Sequence, residues 1–381
     1  MLSPLGSGTA VGSVLLYAAG AWLGYPEPAV LAVAGLVAVG VAVLWTLPQP
    51  KLTVRREIAP LRVARGEPAV GVLHVTNAGR GIRAGLTAHD AVGSTTVKVD
   101  IPRLRPGGTR TVTYRLSTER RGEIPVGPLR VVRADPLGLA RRVREYGAPQ
   151  TLLVRPKTAA LPLLPSGRAH HLEGPTTDRA PAGTVTFHAL REYVIGDDLR
   201  HVHWKSSART GTLMVRQLVD ASLPNTTIVI ETRPAAWADP EDFELAVDAA
   251  ASVAVGACRT GFPVRILTGA RSGPTQVLET RGGPEDAETV LDWLARVALA
   301  ESPHSTVDLV RRVRAGGSLV VVVPGDAELS RIAVVRHRFD RVVVLRVSAR
   351  PGPQARMPGV TIIDVPGLDE FAASWRRETR R

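Results

Sequence analysis

At 381 residues the chain has room for two soluble domains and a small anchor. Its formal net charge of +13 comes from arginine, with Lys51, Lys98, Lys157 and Lys205 the only lysines. The arginines are spread along the chain without interleaved aromatics, which argues against a dedicated nucleic-acid surface. A lone cysteine, Cys258, excludes an internal disulfide framework and a cysteine-rich zinc site.

Residues 1–50 carry one charged side chain, Glu27. Leu5 to Tyr25 and Ala29 to Leu47 are charge-free runs near bilayer length, broken by Pro26-Glu27-Pro28. The pattern predicts a hairpin of two transmembrane helices, with Trp22, Tyr25 and Trp45 near their ends. Lys51, Arg55, Arg56, Arg62 and Arg65 follow, so the positive-inside rule puts the soluble bulk in the cytoplasm. An inner or plasma membrane location follows.

Over 51–160 the hydrophobic period shortens. β-Branched runs at Val70–Asn77, Thr95–Ile101, Thr109–Leu116 and Leu129–Val132 alternate with Gly/Pro breaks, and this predicts a small β-sandwich. Asp135-Pro136 reads as a turn starter. Residues 156–185, rich in proline and glycine, are expected to be poorly ordered or a long excursion, with the linker proper at 161–185.

The densest chemistry lies between Phe187 and Gln217. Arg191, Tyr193, Gly196, Asp197, Asp198, Arg200, His203, Trp204 and Arg209 form a polar constellation, with a turn at Ile195–Asp198 and a strand from Gly211. Two readings stand. Arginine and aspartate can lock a loop through bidentate ion pairs. His201 and His203, two residues apart, could instead join Asp197 or Asp198 in holding a metal for hydrolysis. Ser206 and Ser207 beside Lys205 are a weak nucleophile signal.

From 226 onward, apolar strand runs alternate with helical patterns. Strands are expected at 226–231, 263–268, 318–323, 341–347 and 360–365. Helices are expected at 241–260, 284–300, 306–315, 327–338 and 369–380. This predicts a doubly wound α/β sheet. No phosphate-cradling glycine loop and no Gly-Lys-Ser/Thr occurs, so the chain is not itself an ATPase.

Arg191-Glu192-Tyr193, Gly196-Asp197-Asp198, Leu199-Arg200, His203-Trp204 and Ala208-Arg209 resemble the signature of the bacterial family catalogued as domain of unknown function 58. The resemblance implies an end-to-end plan. A membrane hairpin (1–50) and a β-sandwich-like domain (51–160) lead through the linker (161–185) to a signature loop with a von Willebrand factor type A-like α/β domain (186–381). It also implies partnership with a MoxR-type AAA+ ATPase. In that fold a metal-adhesion motif, Asp-x-Ser-x-Ser, follows the first strand. Here the segment is Glu231-Thr232-Arg233-Pro234-Ala235, with arginine and alanine in place of the serines, so no metal is expected. The resulting expectation is a membrane-anchored, cytosol-facing adaptor without cofactor or catalysis. The alternatives are a metal-dependent hydrolase built on Asp197, Asp198, His201 and His203, and a binder of nucleic acid or acidic polymer.

Overall fold

The computed structural model describes residues 2–47, 52–79, 86–164, 185–194, 199, 202–220, 225–270, 275–349 and 356–379. The chain divides into two compact units, Met1–Arg155 and Pro156–Arg381.

The first unit opens with α1 (Pro4–Leu23) and α2 (Pro26–Thr46). Ser3 starts α1 by accepting the Gly6 N–H at 3.0 Å, and Gly24, at φ +74°, ends it. Small residues let the two helices approach closely. A Cβ on Gly35 would stand 2.2 Å from Ser13 Oγ, and one on Gly20 would stand 3.1 Å from Pro28 Cβ. Among the described residues, α2 alone is long and apolar enough to cross a membrane. α1 was expected to cross as well, but Ser7, Thr9 and Ser13 dilute its apolar character.

Among the described residues nine strands follow: β1 (Leu52–Ala59), β2 (Arg62–Ala64), β3 (Ala69–Asn77), β4 (Leu86–Val92), β5 (Thr95–Ile101), β6 (Thr109–Leu116), β7 (Gly122–Ala134), β8 (Arg141–Tyr146) and β9 (Gln150–Arg155). They make one sheet in the order β1-β3-β6 and another in the order β2-β9-β7-β4-β5, with β8 paired to the end of β7. Alternate residues of β3 turn inward, so Leu73 and Val75 are fully buried. They join Tyr114 and Leu116 in a core shared with Ala88, Ile101, Val126, Leu152 and Val154 of the other sheet. Two sheets around one core are the predicted sandwich.

A polar triad sits inside that core. Arg56 Nη1 donates to Asp90 Oδ1 at 2.9 Å, Tyr114 Oη donates to Asp90 Oδ2, and Arg56 Nη2 donates to the Ala148 carbonyl at 2.6 Å. Burial, and next the bond to Asp90, push the Tyr114 phenol well above its ordinary range. Arg56, expected among the membrane-flanking charges, is instead a core residue.

In the second unit, residues 156–164 lie against the α/β core as a strap. The Lys157 N–H donates to buried Asp248 at 2.8 Å, the Ala159 N–H donates to buried Ser252 at 3.0 Å, and Trp375 Nε1 donates to the Pro162 carbonyl at 2.9 Å. Leu161, Leu163 and Leu164 pack on the hydrophobic core. The start of the expected linker is therefore anchored by its backbone, a feature its proline content hides. Residues 165–184 lie outside the described residues.

A two-stranded antiparallel ribbon comes next: β10 (Val185–Glu192), the short α3 (Trp204–Thr210) and β11 (Met214–Asp220). The remaining elements are β12 (Thr226–Ile230), α4 (Pro240–Arg259), β13 (Val264–Thr268), β14 (Gln276–Glu279), α5 (Pro284–Arg296), α6 (Thr306–Arg312), β15 (Ser318–Pro324), α7 (Ser330–Val335), β16 (Arg341–Val347), β17 (Thr361–Val365) and α8 (Leu368–Thr379). The sheet order is β14-β13-β12-β15-β16-β17, parallel except for the β14 edge. Every residue of β15, Ser-Leu-Val-Val-Val-Val-Pro, is buried, as a central parallel strand requires. Successive side chains enter different cores. Val320 and Val322 meet α4, α5 and α8, whereas Val321 and Val323 meet α6 and α7. The predicted doubly wound α/β architecture is present. α5, α6 and α7 end earlier than their apolar patterns suggested, and β14, a short exposed edge, had no signal strong enough to read.

Candidate functional site

The signature segment is built around β11. The Tyr193 N–H donates to the Leu213 carbonyl and the His203 N–H to the Met214 carbonyl, each at 2.8 Å, and Val202 bridges to Val215. The chain thus leaves β10 at Glu192 and comes back to β11 on its other edge at Val202, so that Val215 pairs with Arg191 on one side and bridges to Val202 on the other. His203 caps α3: its Nδ1 accepts the Ser206 N–H at 3.2 Å and lies 2.7 Å from Ser206 Oγ. Since Nδ1 accepts a backbone N–H, it carries no proton in this arrangement, and a neutral ring holds its proton on Nε2. Ser207 Oγ donates to the His203 carbonyl at 3.2 Å and accepts the Met214 N–H at 2.8 Å, tying α3 to β11. Both serines therefore have structural partners, a role that sequence spacing could not reveal.

Arg191 lies at the end of β10, where Nη1 donates to the Glu192 carbonyl at 3.2 Å. Arg209 is exposed in the last turn of α3, favourably placed on the helix dipole. Trp204, the first residue of α3, is 67% exposed, and Val194, Leu199 and Leu213 of the same segment are exposed too. Gly196, Asp197, Asp198, Arg200 and His201 lie outside the described residues. Of the predicted constellation, the structure therefore describes Arg191, Tyr193, His203, Trp204 and Arg209. Among the described residues no group of three or more His, Cys, Asp or Glu side chains could hold a metal ion.

Doubly wound folds accept ligands at the switch point of the sheet, which here lies between β12 and β15. Glu231, just beyond β12, is 4% exposed and its carboxylate is fully engaged. Oε1 accepts from Arg233 N at 2.9 Å and Arg233 Nε at 3.0 Å; Oε2 accepts from Arg233 Nη2 at 2.8 Å and Thr306 Oγ1 at 2.6 Å. Burial alone would raise the Glu231 carboxyl, but the bonds from Arg233 and Thr306 outweigh it and hold the group below its ordinary range. The hydrogen bond to Glu231 keeps Arg233 more firmly protonated, against the opposing effect of burial. A guanidinium fork occupies the side of the carboxylate that a divalent cation would need, and these residues do not fit a metal. Thr306, which begins α6, completes the arrangement, and nothing in its sequence position linked it to Glu231. A Ser305-x-x-Asp308 capping box sets the start of α6.

Residues 189–364, from within β10 to within β17, match the family model described as Protein of unknown function DUF58. The chain carries a DUF58 domain. The matched region takes in both the ribbon with α3 and nearly all of the parallel sheet, in keeping with the resemblance read from Arg191-Glu192-Tyr193 and His203-Trp204. No curated protein matches the chain. Solved structures resemble parts of it remotely. The CARDB domain of the PF1109 protein from Pyrococcus furiosus, in complex with di-metal ions, is 18% identical over 29% of this chain and 94% of its own, with a TM-score of 0.22. A putative cell surface protein from Methanosarcina acetivorans is 16% identical over 28% of this chain and 91% of its own, at 0.21. The alkylpurine DNA glycosylase AlkC from Pseudomonas fluorescens is 14% identical over 32% of this chain and 38% of its own, at 0.20. At such scores these likenesses carry no argument beyond the DUF58 match.

Proposed function

We propose that the protein is a membrane-anchored adaptor without catalysis of its own, and that the ribbon of its DUF58 domain is the docking element. The observation that carries this reading is Trp204. A tryptophan 67% exposed in the first turn of α3, in a segment that also exposes Val194, Leu199 and Leu213, is held on a backbone pinned to β11 by several hydrogen bonds. Large aromatics beside arginine are the residue types that dominate interface energetics, and Arg191 and Arg209 supply the arginine. Engagement of His203 Nδ1 by Ser206 weighs against a hydrolytic metal site using that ring.

In this reading α1 and α2 form a membrane hairpin with both soluble units in the cytoplasm, and the α/β unit is a von Willebrand factor type A-like module. The partner is a MoxR-type AAA+ ATPase, by family resemblance. Asp197, Asp198 and Arg200 complete the docking loop. Cross-linked co-purification from native membranes tests it, comparing wild type with Trp204→Ala and Asp197→Ala. Recovery of an AAA+ ATPase with wild type and its loss with both variants is the expected result. Equal recovery in all three would remove the ribbon as the docking element.

A further inference from the structure

We propose that a cavity at the foot of α2 binds the phosphate headgroup of an anionic phospholipid, an inference that rests on reading α2 as membrane-spanning. The cavity measures about 340 Å³, and its walls include Thr46, the last residue of α2, with Arg133, Arg142, Arg144 and Tyr146 from β7 and β8. Among the described residues no carboxylate lines it. Arg133 and Arg142 stand directly opposite each other in the β7–β8 ladder, and Arg144 is two residues further along β8. Guanidinium forks match phosphate oxygens in pairs. Arg144 lies 5.4 Å from the centre of the Tyr146 ring, which holds its guanidinium at the cavity wall. Glu145, the one acid of β8, pairs with Arg130 at 2.9 Å on the opposite face of the ribbon.

The position of the cavity selects the source of the phosphate. The turn joining β7 to β8 runs up beside the helices. Leu139 and Ala140 pack with Val39 and Ala42 of α2, Leu2 bridges to Ala140, and the Ser3 N–H donates to the Leu139 carbonyl at 2.9 Å. From Val39 to Thr46 the helix rises by about 10 Å. The tip of the turn therefore lies at the depth of the apolar helix, and it carries Leu137, which is 65% exposed. Trp45 and Leu47, both exposed, mark the helix end as an interfacial level. With an apolar tip in the hydrocarbon, the arginines four to seven residues from Leu137 come to the headgroups. Basic pockets at that level recognise anionic lipid.

The test uses the detergent-purified full chain with equimolar phosphatidylglycerol and phosphatidylcholine, and counts retained lipid by native mass spectrometry. Phosphatidylglycerol is expected to be retained in preference, with the preference falling about fivefold for each of Arg133, Arg142 and Arg144 changed to Gln. R142K, which keeps the charge but loses the fork, should fall between wild type and R142Q. A control triple, R103Q/R110Q/R115Q, removes equal charge from exposed sites elsewhere in the unit and should retain the lipid. Equal retention of the two lipids, or equal loss in R133Q/R142Q/R144Q and in the control triple, overturns the proposal. Displacement of the lipid by excess inorganic phosphate reassigns the cavity to a soluble ligand and overturns it too. Flotation with pure phosphatidylcholine vesicles separates the two layers of the argument. A chain that floats without phosphatidylglycerol preference keeps its anchor and loses the headgroup site, whereas a chain that does not float loses both.

Discussion

Arg56 and Asp90 meet at 2.9 Å in the middle of the first unit, with 3% and 0% of their side chains exposed. An ion pair so enclosed is costly to form and far costlier to break by removing one partner, because the other charge is then stranded. Asp90→Ala should destabilise the unit by about 3–5 kcal/mol, seen as earlier urea unfolding of the full chain. A wild-type midpoint would mean that water reaches Arg56.

Gly127 makes room for that pair. Its φ is +95°, and a Cβ there would stand 2.1 Å from Arg56 Nη1. Gly127→Ala combines a disfavoured backbone with a displaced guanidinium, so it should cost more than about 1 kcal/mol. Gly147→Ala has a similar φ, +73°, but meets nothing within 4 Å, and should cost less. Thermal melts of the two variants separate backbone strain from the clash.

The Glu231 carboxyl gives the stability of the second unit a defined pH dependence. Its folded pKa is depressed, so its contribution is fully present above the ordinary carboxylate value and is lost as pH falls through the lower folded one. In Glu231→Gln this component of acid sensitivity should disappear. Its unfolding midpoint should be lower than wild type near neutrality, with the gap closing in strong acid. Denaturant titrations across acidic pH would show it, and a gap constant with pH would assign the loss to packing instead.

Trp204→Ala removes an exposed ring and should leave the melting curve within about 0.5 kcal/mol of wild type. If the ring is an interface anchor, partner affinity should fall by at least about 2 kcal/mol. Ser207→Ala should do the reverse at the start. It releases the Met214 N–H from its partner, loosens α3 from β11, and shows as faster amide exchange of Met214.

The alternation of apolar strands and amphipathic helices after residue 226 was legible because each element buries its own face whatever its neighbours are. The period of the pattern survives in the sequence. The same holds for the β-runs before residue 155, the apolar α2, the Asp135 turn and the motif that marks the DUF58 domain. Partners far apart in the chain were not legible. Arg56 reads as one of a cluster of membrane-flanking charges, yet β1 turns it into the core, where Asp90 lies 34 positions away. Thr306 reaches Glu231 across 75 positions, and residues 156–159 reach α4 across more than 90. Net charge misleads for the same reason. Arg56, Arg233 and Arg346 are committed to Asp90, Glu231 and Asp364, while Arg133, Arg142 and Arg144 converge only because a strand pair brings them together. Local periodicity is written in consecutive residues, so the sequence by itself determined the elements and their class. Which charges are buried, and which gather around a cavity, depends on the pairing of distant strands, and only the tertiary structure decided it.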